Sequence, residues 1–426
     1  MSKKFLMIFT IIKFIISIDE SNIYNKELSS EKDLFKEYYN EANDLLKNMT
    51  IEEKIGQIFY ARFNDNISKE IKANHYGGLT LFANDFEKKN KSIIQKELRE
   101  LNNISKINLS FAVDEEGGTV NRISLYKQYR DEPFKSPQNY YNEGGIKKVL
   151  EIEKEKITLI KDLNLNINFA PVADYTTNTS AYIYKRTLGQ NITETEKYIS
   201  EVVKQGNNQN FTTCLKHFPG YGGNSDTHKG MARDTRDLEE FRKNDFKPFI
   251  AGINEKVPMI MVSHNIIEKV DSNYPSSLSA KIHKILREEL NYSGIIITDD
   301  ISMGAITEFI KNESIATIAI LSGVDIILTS NNTQNYQELL KDFKDNKVKE
   351  NQINNAVTRI LAYKLKYGII KSKINPKKGG SNLIAIILII LAVVLVGAAL
   401  VYFFVIKKKG DSHGDLDQQL TDDNGF

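Results

Sequence analysis

Short runs of apolar, β-branched residues alternate along the chain with longer stretches whose apolar positions recur every three to four residues. Short runs bounded by turn residues predict strands, and the longer amphipathic stretches predict helices. Eight runs read as strands: Ile55–Phe63, Gly78–Ala83, Leu109–Val113, Ile167–Val172, Thr212–Lys216, Met259–Ser263, Gly294–Thr298 and Val324–Thr329. Around them Ile93–Leu101, Ile146–Leu163, Glu194–Gln205, Leu238–Ile253, Ala280–Leu290, Ile315–Leu321 and Gln352–Tyr367 read as helices. Eight β-then-α units over roughly 320 residues predict one TIM-type (β/α)8 barrel, assigned to residues 30–370, with parallel strands inside and helices outside. A doubly wound open sheet is the alternative. No Gly-x-Gly-x-x-Gly turn follows the first strand, so the dinucleotide-binding form of that sheet is disfavoured.

Both ends of the chain leave this pattern. Lys3 and Lys4 precede an apolar run from Phe5 to Ile18 broken only by Lys13, which predicts a signal peptide or uncleaved signal anchor over residues 1–20. Residues 371–382, with Pro376 and the Gly379-Gly380 pair, read as a linker. From Leu383 to Ile406 there are 24 residues without a charge, against roughly 20 needed to cross a bilayer. Lys407, Lys408 and Lys409 follow, placing residues 407–426 as a cytoplasmic tail. The expectation is a single-pass membrane protein, held in the lipid bilayer by its C-terminal helix, with the barrel extracellular or luminal. Eleven Asn-X-Ser/Thr sequons are compatible with export.

Composition narrows the partners. The 426 residues carry 57 Lys and Arg against 55 Asp and Glu, a net charge of +2. Nucleic-acid binding by counterion release needs a concentrated basic surplus, so nucleic acid is not an expected partner. Cys214 is the single cysteine, so no intrachain disulfide exists and stability must come from the core.

A barrel gathers its chemistry at the C-terminal ends of its strands. Here Asp114 follows the third run, Asp174 the fourth, Lys216-His217 the fifth, His264 the sixth and Asp299-Asp300 the seventh. Five ionisable strand ends in succession predict one polar pocket. After the fifth run comes a glycine-rich segment, Gly220 to His228, whose titratable groups are Tyr221, Asp226 and His228. An Asp two residues before a His can orient the imidazole and support a general acid/base near neutrality. Other readings stay open: His217, Asp226 and His228 have the residue types of a metal site, and the segment reads equally as a surface turn.

At these residues the chain resembles glycoside hydrolase family 3, in particular its single-domain β-N-acetylglucosaminidases. The resemblance runs in order through MTIEEKIGQIF from Met49, VDEEGGTVNRI from Val113, APVAD, KRTLG from Lys185, KHFPGYG from Lys216, MVSH and ITDDISMGAI from Ile297. It spans nearly all of the predicted barrel. It implies a retaining exo-glycosidase that removes terminal β-linked N-acetylglucosamine from an oligosaccharide, glycan or cell-wall fragment, without a metal or organic cofactor. Carried over by motif, Asp299 is the nucleophile, with Asp300 the second choice, and Asp226 with His228 the acid/base dyad. Asp114, Arg122, Arg186, Lys216 and His217 are the implied sugar-binding residues. Thr119 stands where the family often has Arg and Tyr221 where His is common, and the segment after the fifth strand is one residue shorter. Other activities left open are a β-glucosidase or β-xylosidase and a catalytically inactive membrane sugar receptor.

Overall fold

The structure is a computed structural model and describes residues 33–223, 231–311 and 313–373. All of these fall in one unit, Met1–Lys373, and the other, Ile374–Phe426, lies outside the described residues.

The first departure from the expected pattern is at the first strand. Thr50 and Glu53 form a reciprocal cap, Glu53 N–H donating to Thr50 Oγ1 at 3.3 Å and Thr50 N–H to Glu53 Oε2 at 3.0 Å. That cap starts a helix, Ile51–Ile58, because two orphan amides are satisfied at once. Ile55 and Ile58 are fully buried on its inner side, so the apolar run from Ile55 is helix before it is strand.

The barrel strands are β1 (Phe59–Arg62), β2 (Gly78–Leu81), β3 (Ser110–Val113), β4 (Ile167–Asn168), β5 (Thr212–Phe218), β6 (Met259–Val262), β7 (Ile295–Thr298) and β8 (Ile327–Thr329), and Arg233–Asp234 with Ile266–Ile267 form a separate two-stranded sheet. The barrel strands lie in the order β8-β1-β2-β3-β4-β5-β6-β7, with every neighbouring pair parallel. The ring closes where Thr298 N–H donates to the Ile326 carbonyl and Ile326 N–H to the Ile296 carbonyl, both at 3.1 Å. This is the barrel-like parallel sheet expected from the alternation. β4 is short because Pro171 has no N–H to give the ladder; pairing resumes at Val172 opposite Lys216.

β5 and β6 lose register between Leu215 and Phe218. Such an irregularity re-aims side chains next to a site, and here it lies at Lys216 and His217. The Ala170-Pro171, Lys216-His217 and Phe218-Pro219 peptides are cis.

The outer helices follow the expected stretches with two changes. The stretch from Leu238 divides into Leu238–Lys243 and Phe246–Asn254, interrupted at Asn244, whose backbone is non-helical. The stretch from Ile146 is the second part of Pro137–Asp162, kinked at Gly144 and Gly145. Asn332–Lys344, which the pattern did not single out, packs Tyr336, Leu339 and Leu340 inward.

The expected single-pass membrane placement is corrected. No helix among the described residues is long and apolar enough to cross a membrane. Residues 1–20 and 374–426, which take in the expected signal, all but the first three residues of the linker, the bilayer helix and the tail, lie outside the described residues.

Candidate active site

The strand ends meet at the C-terminal mouth of the barrel. Lys216, from β5, is almost fully buried and reaches two carboxylates, Asp114 Oδ1 at 2.7 Å and Glu116 Oε1 at 2.6 Å. Glu116 is gripped from its other side by Arg186, which donates Nε to Oε2 at 2.9 Å and Nη2 to Oε1 at 2.7 Å. This fork fixes the plane of the guanidinium as well as its charge. Burial pushes the Glu116 carboxyl up, but Arg186 and Lys216 outweigh it and hold the group far below the usual carboxylate range. Lys216 is raised in turn, the pull of Asp114 and Glu116 exceeding the cost of its burial.

The network continues to His217. Its Nε2 lies 3.3 Å from Arg186 Nη2 and its Nδ1 2.7 Å from Asp174 Oδ2. A guanidinium nitrogen can only donate, so Nε2 accepts, and the ring proton sits on Nδ1 facing Asp174. Asp174 is fully buried and also accepts the His217 amide at 3.1 Å and the Tyr221 amide at 2.8 Å. One carboxylate thus orients the imidazole and anchors the chain where it leaves β5. Gly220 allows that exit: its φ is +124°, and a side chain there would run into Asp245.

On the far side stands Asp299. Its Oδ1 accepts the Asp300 amide at 2.8 Å; among the described residues, no protein hydrogen bond reaches Oδ2. Burial pushes this carboxyl up, yet the nearby His264 and His217 rings, the Asp300 amide and the Lys216 ammonium together hold it below its ordinary value. It is therefore ionised at neutral pH. His264 is fixed by Ser277 Oγ at 2.7 Å on Nδ1 and by the Asp300 carbonyl at 2.9 Å on Nε2. Asp300 is fully employed in structure. Its carboxylate accepts the Ser302 amide at 2.8 Å, the Ser330 amide at 3.1 Å and the Ser330 hydroxyl at 2.5 Å, tying together the loops after β7 and β8.

Of the residues singled out in the sequence, Asp114, Arg186, Lys216 and His217 join in one contact network, and Asp299 lies within reach of its charges. Arg122 stands apart: its guanidinium lies 5.5 Å from the Phe82 ring centroid, a ring that Arg62 also covers at 4.4 Å. Asp226 and His228 lie outside the described residues, as do two of the three residues of the alternative metal reading.

Sequence reasoning left out two members of the network. Glu116 was visible two residues after Asp114 in VDEEGG, and Asp174 was noted at its strand end but given no role. The neighbouring Glu115 is structural, accepting the amides of Arg122, Ile123 and Ser124 at 2.8, 2.7 and 3.2 Å. Sequence alone does not separate these adjacent acids.

Comparison with known proteins agrees with the layout. The profile described as "Glycosyl hydrolase family 3 N terminal domain" matches residues 50–363. The chain is 30% identical over 275 residues to a beta-hexosaminidase of Idiomarina loihiensis, covering 62% of this chain and 79% of that protein. It is 28% identical over 337 residues to beta-hexosaminidase A of Pseudoalteromonas piscicida, covering 70% of this chain but 55% of that longer protein. Among solved structures, a glycoside hydrolase family 3 beta-N-acetylglucosaminidase from Paenibacillus sp. str. FPU-7 aligns with a TM-score of 0.70 at 25% identity, over 78% of this chain and 65% of that one. A beta-N-acetylhexosaminidase from Beutenbergia cavernae shares the fold with a TM-score of 0.67 at 19% identity, over 74% of this chain and 99% of that one.

Proposed function

The chain belongs to glycosyl hydrolase family 3, and on that premise we propose that it is a retaining exo-β-N-acetylhexosaminidase, with Asp299 as its nucleophile. The observation that carries the proposal is the state of Asp299: an ionised carboxylate at the barrel mouth, one oxygen held by a backbone amide and the other not engaged by any described residue. A carboxylate so placed is oriented for attack rather than consumed by structure. Asp300 has the opposite character, its oxygens being occupied by Ser302 and Ser330.

In this reading Asp114, Lys216, Arg186 and His217 hold the hydroxyls of the terminal sugar. The carboxylate oxygen of Asp299 attacks the anomeric carbon as the glycosidic C–O bond breaks. The departing oxygen takes a proton from the His228 imidazolium, which Asp226 orients, leaving a glycosyl ester on Asp299. Water then attacks the same carbon, gives a proton back to His228, and releases the sugar with its original configuration and a free carboxylate. The names of the relatives support N-acetylhexosamine as the sugar, in a glycan or cell-wall fragment.

The test is an assay of the full-length protein and its Asp299→Ala variant on an aryl β-N-acetylglucosaminide. Release of the aryl group by the wild type and its loss in a folded variant are expected. A folded wild type without activity on any β-N-acetylhexosaminide, or a variant as active as the wild type, would overturn the reading.

A further inference from the structure

Tyr182 is exposed where aromatic rings are normally covered. Among the described residues five large hydrophobic side chains stand out in solvent, and Tyr182, at 38% exposure, is the aromatic one. Three of the others, Ile93, Ile250 and Leu321, sit on outer helices. Tyr182 instead belongs to the segment between Asp174 and the short turn Tyr184–Arg186, so it stands beside the site.

The ring is exposed but not loose. Ala181 and Ile183 on either side of it are buried, and the Tyr184 amide donates to the Ala181 carbonyl at 3.1 Å. The chain is thereby pinned, and the ring projects. Its hydroxyl is 3.5 Å from Arg186 Nη1. Its face tilts at 52° against Tyr221, centroids 6.2 Å apart, and Tyr221 stands edge-on to His217 at 5.1 Å. Tyr182 is therefore braced by the residues that line the polar floor.

Depth separates it from that floor. Arg186, Lys216 and His217 are 9%, 2% and 4% exposed, so Tyr182 lies one side chain further out, at the mouth. A pyranose has an apolar face of C–H groups as well as hydroxyls, and a rigid aromatic ring with one polar tip suits it: the face packs on the ring at little entropic cost. A terminal sugar seated on the floor with its anomeric carbon at Asp299 leaves its leaving group in the outer layer.

We propose that the Tyr182 ring is the stacking platform for the sugar next to the one removed, a binding subsite for the leaving group of an oligosaccharide. The inference rests on the hexosaminidase reading above. Recognition there is by shape and apolar contact, so it favours a pyranose leaving group over a small one without demanding one sugar identity.

The experiment compares two donors with full-length protein. One is a β-linked N-acetylglucosamine disaccharide; the other is β-N-acetylglucosaminyl fluoride, whose leaving group is a single atom and cannot stack. The ratio of kcat/KM for disaccharide to that for fluoride is expected to fall about 10-fold or more in Tyr182→Ala. In Tyr182→Phe, which keeps the ring, the ratio stays within about twofold of wild type. An unchanged ratio in Tyr182→Ala would overturn the proposal, because any loss would then come through Arg186 and the floor. So would a Phe variant that behaves like the Ala variant, which would assign the effect to the hydroxyl. A wild type inactive on both donors would instead sink the hexosaminidase reading, and the subsite with it.

Discussion

Both ends of this barrel bury charge, and they use it in opposite ways. At the N-terminal end Asp325 is clamped between Arg287 Nη2 at 2.6 Å and Arg359 Nη1 at 2.5 Å, and accepts the Ile296 amide at 2.8 Å. Lys364, fully buried in the last helix, donates to Gln57 Oε1 at 2.8 Å and the Asn108 carbonyl at 2.9 Å. Each of these groups is held by partners within the protein. At the C-terminal end the chain Asp114–Lys216–Glu116–Arg186–His217–Asp174 is equally connected. It stops short of Asp299, which keeps one oxygen outside the network. Buried charge by itself therefore does not mark the site; a charged group with an oxygen left outside the network beside it does.

The contrast is sharpest in two carboxylates. Asp299→Asn is expected to lower kcat by about 10⁴-fold or more, as removal of a nucleophile does, while leaving the unfolding midpoint in urea close to wild type. Asp325→Ala should do the reverse. It strands two buried guanidiniums, so unfolding free energy falls by about 3–5 kcal/mol while kcat of the folded fraction is retained. Loss of activity at Asp325 without loss of stability would erase the distinction between the ends.

A smaller effect is expected inside the network. Glu116→Gln removes the charge that aligns Arg186 and Lys216, so KM should rise about 10- to 100-fold with a lesser change in kcat. The same residue predicts an acid limit. Its folded carboxyl is held far below the unfolded value of 4.5, so it contributes stability that is fully present above that value and is lost as pH falls below it. A urea-unfolding series from pH 6 downward should show a steeper loss in the wild type than in Glu116→Gln.

The smallest effect belongs to Lys364. Burial lowers its ammonium to about 7 from 10.5, so folding sheds a proton between those values. Stability should rise from pH 7 upward, by at most about 1.4 kcal/mol per pH unit from this group. Half-buried Lys366, lowered to about 8 for the same reason, adds to the slope, so the difference between the wild type and Lys364→Met between pH 7 and 9 isolates Lys364. A variant with the wild-type slope would show that Lys364 stays charged in the fold.

The barrel was legible in the sequence because parallel strands buried on both faces read as short apolar runs, each ending in a polar residue. That rule found Asp114, Lys216, His217 and Asp299, which barrel closure brings to one mouth. Local pattern misled where another signal competed. The Thr50–Glu53 cap turned the front of the first apolar run into helix, and the stretch from Leu238 divided at Asn244. Partnerships were not legible, since they depend on distance. Glu116 joins Lys216 across 100 residues, and Asp174 meets His217 across 43, separations that no local spacing announces. Arg122, assigned to the sugar by motif, packs on Phe82 instead of joining the network.

The most direct measurement is to trap the reaction on the protein. Full-length wild type is incubated with a slow fluorinated N-acetylglucosaminyl fluoride, quenched in acid, and its peptides are mapped by mass spectrometry. The account predicts one added N-acetylhexosaminyl unit, carried by Asp299 and absent from Asp299→Asn. An adduct on Asp300 or another carboxylate, or turnover that yields the inverted sugar without any adduct, would contradict it.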